Sequence, residues 1–342
     1  MIGFGVIGYG YWGPNWVRNL VEMAGARVVG TCDLRKERLA LIQARYPTIH
    51  TTTDYRELLK NPAIDAVVIA TPVQSHFDLA LQALRANKHV LVEKPLTATV
   101  EQSMILIEEA ARRRLVLMVD HTFVYTDAVR TMRRLVEQGL LGNIYYYDSV
   151  RVNLGLFQHD VNVLWDLAVH DLSIMEYVLG IQPSAIAATG VAHVAGQPED
   201  IAYLTCYFEQ NVIAHFHVNW LAPVKVRRTL IGGDRQMIVY DDLEPSEKVK
   251  VYDKGITLNG GAEGIYQLLV GYRAGDMWAP KLSTTEALST EARHFVDCIH
   301  NGTQPITDGV AGLRVVSMLE IATRSMAQRG QSVEICLERA CV

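Results

Sequence analysis

The feature that most constrains the fold is an alternation, over the first 120 residues, of short apolar runs with segments of helical period. The runs lie at 2–7, 28–32, 66–70, 89–92 and 116–119. Between them, apolar residues recur every three or four positions at 15–23, 36–44, 75–86 and 100–113. Almost entirely apolar strands separated by helices are typical of a parallel sheet covered on both faces. The pattern predicts a doubly wound α/β domain of the Rossmann type over residues 1–120.

The pattern changes after residue 120. A mixed strand at 144–153 and a helical stretch at 163–179 precede two alternating runs, 201–208 and 212–221, joined across Glu209-Gln210-Asn211 as in a hairpin. Further strand patterns follow at 226–231, 236–240 and 248–252, and helical patterns at 285–299 and 309–328. Residues 121–342 are therefore predicted to form an α+β domain with a large, mainly antiparallel sheet that binds substrate and mediates oligomerisation.

Composition excludes several classes of protein. The formal charge is −5, from 32 basic and 37 acidic residues, so a protein that coats nucleic acid or an anionic membrane is not expected. The five cysteines, at 32, 206, 298, 336 and 341, form no CxxC pair and no cluster at metal-ligand spacing. The chain shows no leader pattern and no uncharged stretch of about 20 residues. We expect a soluble cytoplasmic protein without a bound metal.

A glycine-rich turn follows the first apolar run. It reads Gly8-Tyr9-Gly10-Tyr11-Trp12-Gly13 and is followed by Pro14, a residue favoured in the first turn of a helix. The second run ends at Asp33, 20 residues beyond Gly13, where a carboxylate can accept hydrogen bonds from an adenosine ribose. This combination predicts a dinucleotide site at the turn, whereas the same turn without a ligand would be a flavodoxin-like loop.

The choice between NAD and NADP depends on residues 33–36. Asp33 would repel a 2′-phosphate, which favours NAD. Arg35 and Lys36 weaken this preference because Arg35 could contact a phosphate, although both side chains also fit the solvated start of a helix. We predict NAD.

Two triplets end neighbouring runs and should meet at the carboxyl edge of the sheet, where open α/β sheets bind ligands. They are Ala70-Thr71-Pro72 and Glu93-Lys94-Pro95. Lys94 lies between a carboxylate and a proline and is a candidate catalytic lysine; the alternative is a lysine that pairs with Glu93 at a strand end. In the second half, Asp166 and His170 are four residues apart and share one helix face. An imidazole is suited to proton transfer near neutral pH, although the same spacing also occurs in ordinary helix pairs.

These motifs, with Ser75-His76 after the first triplet and Asp171 after His170, resemble the Gfo/Idh/MocA oxidoreductase family along the whole chain. The resemblance implies that Lys94 and His170 flank a reacting carbinol and that one or both take up its proton, with Asp166 beside them. It further implies a homotetramer or homodimer. The residues then expected to contact the dinucleotide are Gly8, Gly10, Tyr11, Trp12, Gly13, Asp33, Arg35, Ala70, Thr71, Pro72, His76, Glu93, Lys94 and His121.

The stretches VNLGLFQHDVNVLWDLAVHDLSI and PVKVRRTLIGG resemble the branch of this family that works on nucleotide sugars. For this branch we expect oxidation of the C3 hydroxyl of a UDP-N-acetylhexosamine or its uronate, before an aminotransferase, in lipopolysaccharide or surface polysaccharide synthesis. Substrate contacts are expected from Phe123, Arg151, Asn153, His159, Lys225 and Arg227 as well as Lys94, Asp166 and His170. Core packing, structural hydrogen bonds and a solvated basic face are the alternatives for the first six.

Two other functions remain open at this point. The chain could be a dehydrogenase of a free sugar, inositol or glycoside, or it could be a dinucleotide-sensing regulator without catalysis. The intact EKP triplet and the Asp166/His170 motif favour an enzyme over a regulator.

Overall fold

The computed structural model of the chain describes residues 1–155, 161–253, 255–258 and 270–335. The chain divides into two compact units. The first comprises Met1–Thr126 and Thr285–Glu320, and the second comprises Asp127–Thr284 and Ile321–Val342. The late segment 285–320, which we assigned to the C-terminal domain, thus contacts mainly the N-terminal half.

The N-terminal part of the first unit alternates strands and helices. Its strands are β1 (Ile2–Ile7), β2 (Ala26–Cys32), β3 (His50–Thr52), β4 (Ala66–Ile69), β5 (His89–Glu93) and β6 (Leu117–Asp120). Its helices are α1 (Gly13–Glu22), α2 (Lys36–Arg45), α3 (Tyr55–Lys60), α4 (His76–Arg85) and α5 (Val100–Arg113). We did not predict β3 and α3, because a three-residue strand and a six-residue helix carry little periodicity.

All six strands pair in parallel, in the order β3-β2-β1-β4-β5-β6. Every side chain of β1 and β4 is buried, as expected when helices cover both faces of a sheet. The parallel arrangement brings the carboxyl ends of β1, β4, β5 and β6 to one edge. The glycine turn, both predicted triplets and Asp120 follow or end these strands.

Among the described residues, two complete helices and eleven strands belong to the second unit. The helices are α6 (Asp127–Glu137) and α7 (Val169–Leu179), the latter preceded by a π-helical turn at Leu164–Ala168. The strands are β7 (Ile144–Leu154), β8 (Ala185–Val191), β9 (Ile201–Tyr207), β10 (Ile213–Asn219), β11 (Leu221–Gly233), β12 (Met237–Asp241), β13 (Val249–Tyr252), β14 (Gly255–Leu258), β15 (Val270–Arg273), β16 (Met277–Trp278) and β17 (Val333–Glu334).

Nine of these strands form one sheet in the order β16-β13-β12-β11-β7-β10-β9-β8-β17. Neighbours are antiparallel except β7 and β10, which pair in parallel, so the sheet is mixed but mainly antiparallel. The predicted hairpin is present, with Ile213 opposite Tyr207. The predicted fold class, a Rossmann-type sheet followed by a largely antiparallel one, is confirmed.

Two further helices, α8 (Ala287–Asn301) and α9 (Gly309–Ala327), lie between β16 and β17 in sequence. Helix α8 packs against α1, the helix that follows the glycine turn. The Arg18 guanidinium of α1 binds both carboxylate oxygens of Glu286, at 3.0 and 2.6 Å, and the rings of Phe4 and Phe295 lie 6.1 Å apart. The segment 285–320 thereby supports α1, the first helix of the parallel-sheet unit.

Candidate active site

The glycine turn after β1 has two positions that only glycine can occupy without rearrangement. Gly8 has a φ of +95°, and a Cβ atom there would lie 2.3 Å from the carbonyl oxygen of Ala70. A Cβ atom on Gly13 would lie 2.1 Å from the Gly8 carbonyl oxygen. Tyr11, at the tip, is 89% exposed. The turn therefore packs closely on the end of β4 and leaves backbone at the start of α1, a cradle that fits the pyrophosphate of a dinucleotide.

Asp33 ends the neighbouring strand and is buried. Its carboxylate accepts hydrogen bonds from the Tyr9 N–H at 2.8 Å and from the backbone and side chain of Arg35 at 2.9 and 3.2 Å. Burial opposes its ionisation, but these bonds and the Arg35 charge outweigh burial and lower the pKa of Asp33. The carboxylate is thus ionised and fixed beside the glycine turn, where we predicted a ribose contact.

The two predicted triplets are joined by one fully buried side chain, His76. Its Nδ1 lies 2.8 Å from the Pro95 carbonyl oxygen and its Nε2 lies 2.7 Å from the Thr71 carbonyl oxygen. Burial lowers the pKa of this histidine, although the two carbonyl groups oppose the shift and the Lys94 charge adds to it. Both ring nitrogens lie against backbone carbonyl groups of the triplets, and the neutral ring donates its single N–H to one of them at a time. His76 therefore packs between the turns after β4 and β5.

Lys94 follows Glu93 at the end of β5, is half-buried and precedes Pro95 across a cis peptide bond. The next strand end carries His121, which is 2% exposed. Burial and the positive charge of Lys94 lower the pKa of His121 to about 3, so its imidazole is neutral. Neither ring nitrogen of His121 has a hydrogen-bond partner among the described residues. A buried neutral imidazole beside a lysine, at the edge that holds the glycine turn, fits a group that contacts a bound ligand.

Asp166 and His170 belong to the second unit. Asp166 lies in the π-helical turn before α7, a type of distortion that is frequent at functional sites. Its Oδ2 accepts a hydrogen bond of 3.0 Å from the indole N–H of Trp220, which is 1% exposed. His170 lies in the first turn of α7 and is half-buried. The indole therefore fixes the carboxylate of the Asp166/His170 motif.

Arg151 and Asp171 form a buried ion pair directly beside this motif. The Arg151 Nε–Asp171 Oδ2 and Nη2–Oδ1 distances are 2.7 and 3.1 Å, and the two side chains are 3% and 5% exposed. This bidentate pair ties β7 to α7 and orients the helix that carries His170. A direct substrate contact stays a prediction for Arg151.

The other residues predicted to bind substrate lie on different elements and differ in their exposure. Phe123 is half-buried in the turn after β6, and Asn153 is half-buried on β7. Lys225 is exposed on β11, whereas Arg227 pairs with Asp242 at 3.2 Å. His159 lies outside the described residues.

The structure also identifies residues that we did not single out from the sequence. Asp120 ends β6 and accepts hydrogen bonds from two tryptophans of the glycine turn and α1, while Glu291 of α8 lies beside it. Asp120 could have been identified from the sequence, because it is a carboxylate at the end of an apolar strand. No local signal exists for Glu291, which lies far from the turn in sequence.

Within the described ranges, no three or more His, Cys, Asp or Glu side chains are placed to hold a metal ion. In the same ranges, no helix is both long enough and apolar enough to cross a membrane. The described cysteines, Cys32, Cys206 and Cys298, are buried free thiols.

Comparisons with known proteins identify the family of the chain. An oxidoreductase-family model with an NAD-binding Rossmann fold matches residues 2–121, and a Gfo/Idh/MocA C-terminal domain model matches residues 129–239. A parallel sheet with a dinucleotide cradle, followed by this second domain, defines an NAD-binding oxidoreductase that acts on CH–OH groups. The chain belongs to the Gfo/Idh/MocA family.

The chain is similar to dehydrogenases that are named for different compounds. The scyllo-inositol 2-dehydrogenase (NAD(+)) of Bacillus subtilis is 23% identical, with 98% of this chain and 96% of that protein covered. The UDP-N-acetylglucosamine 3-dehydrogenase of Acidithiobacillus ferrooxidans is 27% identical, with 95% and 98% covered. Its solved structure has a TM-score of 0.79, with 96% and 99% of the two chains covered. Levoglucosan dehydrogenase in complex with NADH and levoglucosan shares the fold, with a TM-score of 0.82 at 21% identity and coverage of 98% and 99%.

Proposed function

We propose that this protein oxidises the C3 hydroxyl of a UDP-N-acetylhexosamine, UDP-N-acetylglucosamine or its uronate, to the 3-keto sugar. The observation that carries the proposal is the similarity to the Acidithiobacillus ferrooxidans UDP-N-acetylglucosamine 3-dehydrogenase over 95% of this chain. The 3-keto sugar is suited to a subsequent aminotransferase. We place the reaction in the cytoplasm, in lipopolysaccharide, lipid A or surface polysaccharide synthesis.

In the proposed reaction the carbon loses a hydride and the hydroxyl loses a proton. NAD, when bound, accepts the hydride. Lys94 and His170 are the proposed proton acceptors, one or both acting as general base. Asp166, whose carboxylate is fixed by Trp220, orients the imidazole or binds a sugar hydroxyl.

The surroundings of Lys94 support a role in chemistry. His76 packs between the Ala70-Thr71-Pro72 turn and the Glu93-Lys94-Pro95 turn. Its contact with the Pro95 carbonyl group restricts the backbone that carries Lys94. His121 beside it is neutral and adds no second positive charge. A lysine on a fixed backbone next to an uncharged imidazole is placed for repeated proton transfer at one position.

Further contacts to the nucleotide sugar are proposed for Phe123, Arg151, Asn153, His159, Lys225 and Arg227. The strongest candidate for the diphosphate is Lys225, because its side chain is exposed. The charge of Arg227 is balanced by Asp242, so this residue contributes less net positive charge.

A second candidate is the oxidation of a free inositol or sugar. It is favoured by the similarity to scyllo-inositol 2-dehydrogenase over 98% of the chain and by the Arg227–Asp242 pair, which reduces the positive charge offered to a diphosphate.

The test is NADH formation by the purified full-length chain with a panel of UDP-sugars and with free inositols and hexoses. We expect turnover with a UDP-N-acetylhexosamine and a product two hydrogens lighter, with the new carbonyl at C3. Lys94→Ala and His170→Ala should each lower kcat at least about a hundredfold, the usual contribution of a general acid or base. Lys60→Ala, an exposed lysine of α3, is the control. Turnover confined to free polyols would refute the UDP-sugar assignment.

A further inference from the structure

Asp120 is a hydrogen-bonding centre at the carboxyl edge of the parallel sheet. Its Oδ2 accepts the indole N–H of Trp12 at 2.7 Å and that of Trp16 at 2.8 Å, and its Oδ1 accepts the Thr122 hydroxyl. The residue is 1% exposed. Three donors therefore converge on one buried carboxylate.

The two tryptophans come from the dinucleotide cradle. Trp12 is part of the glycine turn and Trp16 lies in α1, whereas Asp120 ends β6, three positions from β1 in the sheet. An indole N–H can only donate, so each tryptophan needs an acceptor where it is buried. Asp120 is the acceptor for both indole groups. It therefore links the glycine turn after β1 to the end of β6.

Two more carboxyl groups lie against Asp120. Glu93 is directly opposite it in the β5–β6 register, and Glu291 of α8 is fully buried. Burial, together with the charge of Asp120, raises the pKa of both Glu93 and Glu291 well above the usual range, while Lys94 opposes the shift at Glu93. Carboxyl groups this close cannot all be ionised.

The two carboxyl groups differ in their hydrogen-bond donors. Asp120 accepts both indole N–H groups and the Thr122 hydroxyl. At Glu291, burial and the neighbouring Asp120 outweigh the opposing effect of Thr122, so its pKa is raised and its neutral form is favoured.

We propose that Asp120 is a positioning residue for NAD: by accepting the indole N–H groups of Trp12 and Trp16, it holds the glycine turn and the start of α1 in place for the dinucleotide. The inference concerns cofactor binding alone and does not depend on the sugar that is oxidised.

Calorimetric titration of NAD into the full chain without sugar tests the proposal. We expect Asp120→Leu to weaken NAD binding about tenfold or more, because the buried indole N–H of Trp16 and the half-buried one of Trp12 both lose their acceptor. Asp120→Asn should restore affinity to within about threefold of wild type, since an amide oxygen still accepts from both indoles. A purely electrostatic role would instead make the two variants equally weak.

Trp12→Phe keeps an aromatic ring but removes the indole N–H that Asp120 accepts, and it should also weaken NAD binding, with Trp278→Phe in the second unit as the matched control for the loss of ring size. Combined in one chain, Asp120→Leu and Trp12→Phe should give less than the product of their separate effects, because both remove the same Trp12–Asp120 hydrogen bond. Fully multiplicative effects would overturn the proposal. If Asp120→Leu does not fold, Trp12→Phe alone decides, and wild-type NAD affinity in that variant would overturn it.

Discussion

Single residues at the sheet edge show how the surroundings select a protonation state. Burial beside Lys94 lowers the pKa of His121 to about 3, so His121 is neutral, and burial beside Asp120 raises the pKa of Glu291, which favours its neutral form. Asp33 is also buried, although less completely, and is ionised because Arg35 and two backbone N–H groups bind its charged form and lower its pKa. The sequence indicates which of these residues end strands. It does not indicate their protonation, which depends on partners remote in the chain.

The neutral state of Glu291 predicts a pH dependence of stability. Its folded-state pKa is raised, so between about pH 4.3 and that pKa the folded chain binds one more proton than the unfolded chain. The free energy of unfolding should therefore fall as pH rises, by about 1.4 kcal/mol per pH unit from this group. Glu291→Gln removes this contribution.

Urea unfolding between pH 4 and pH 8 measures the effect. Relative to wild type, the Gln variant should gain stability as the pH rises, whereas the exposed Glu108→Gln control should run parallel to wild type. A constant offset between Glu291→Gln and wild type would show that Glu291 is ionised in the folded chain.

At the scale of elements, the sequence predicts β1, β2, β4, β5 and β6 within a few residues, because buried parallel strands are nearly all apolar. We did not predict α6 or β8. The parallel pairing of β7 with β10 was also not predictable, because no local pattern specifies a strand's neighbour. Candidate site residues at strand ends could be predicted, because the end of an apolar run is visible in the local sequence. The contacts made by His76, Trp220 and Glu291 join segments distant in sequence, and no local pattern predicts them.

The Arg151–Asp171 pair between β7 and α7 carries a prediction about these elements. Removing one partner leaves a buried charge, so Arg151→Met should lower the free energy of unfolding by about 3–5 kcal/mol. Replacing both partners, as in Arg151→Met/Asp171→Leu, should recover most of the loss. Chemical denaturation measures both variants, and an equally destabilised double variant would contradict a paired role.

At the scale of the whole molecule, the large sheet exposes apolar side chains on one face. Tyr203, Tyr207 and Ile213, on β9 and β10, are 45%, 41% and 45% exposed. A face of this kind is typical of a surface covered by another chain. We predict a homodimer or homotetramer formed through this sheet.

Light scattering checks this prediction: the mass should be two or four times 38.1 kDa. Ile213→Lys places a charge on the face and should shift the mass towards the monomer, whereas Leu34→Lys, on an 85% exposed residue of the first unit, should not. A wild-type mass near 38.1 kDa would refute the prediction.

The contribution of Thr285–Glu320 to the first unit affects the order of events during synthesis. Glu286, just before α8, pairs with Arg18 of α1, and Glu291 of α8 lies beside Asp120. At about 5–20 residues per second, a ribosome needs roughly 10–40 s to pass from residue 120 to residue 320. The first unit therefore lacks these contacts for that interval and is completed only after residue 320 has been made.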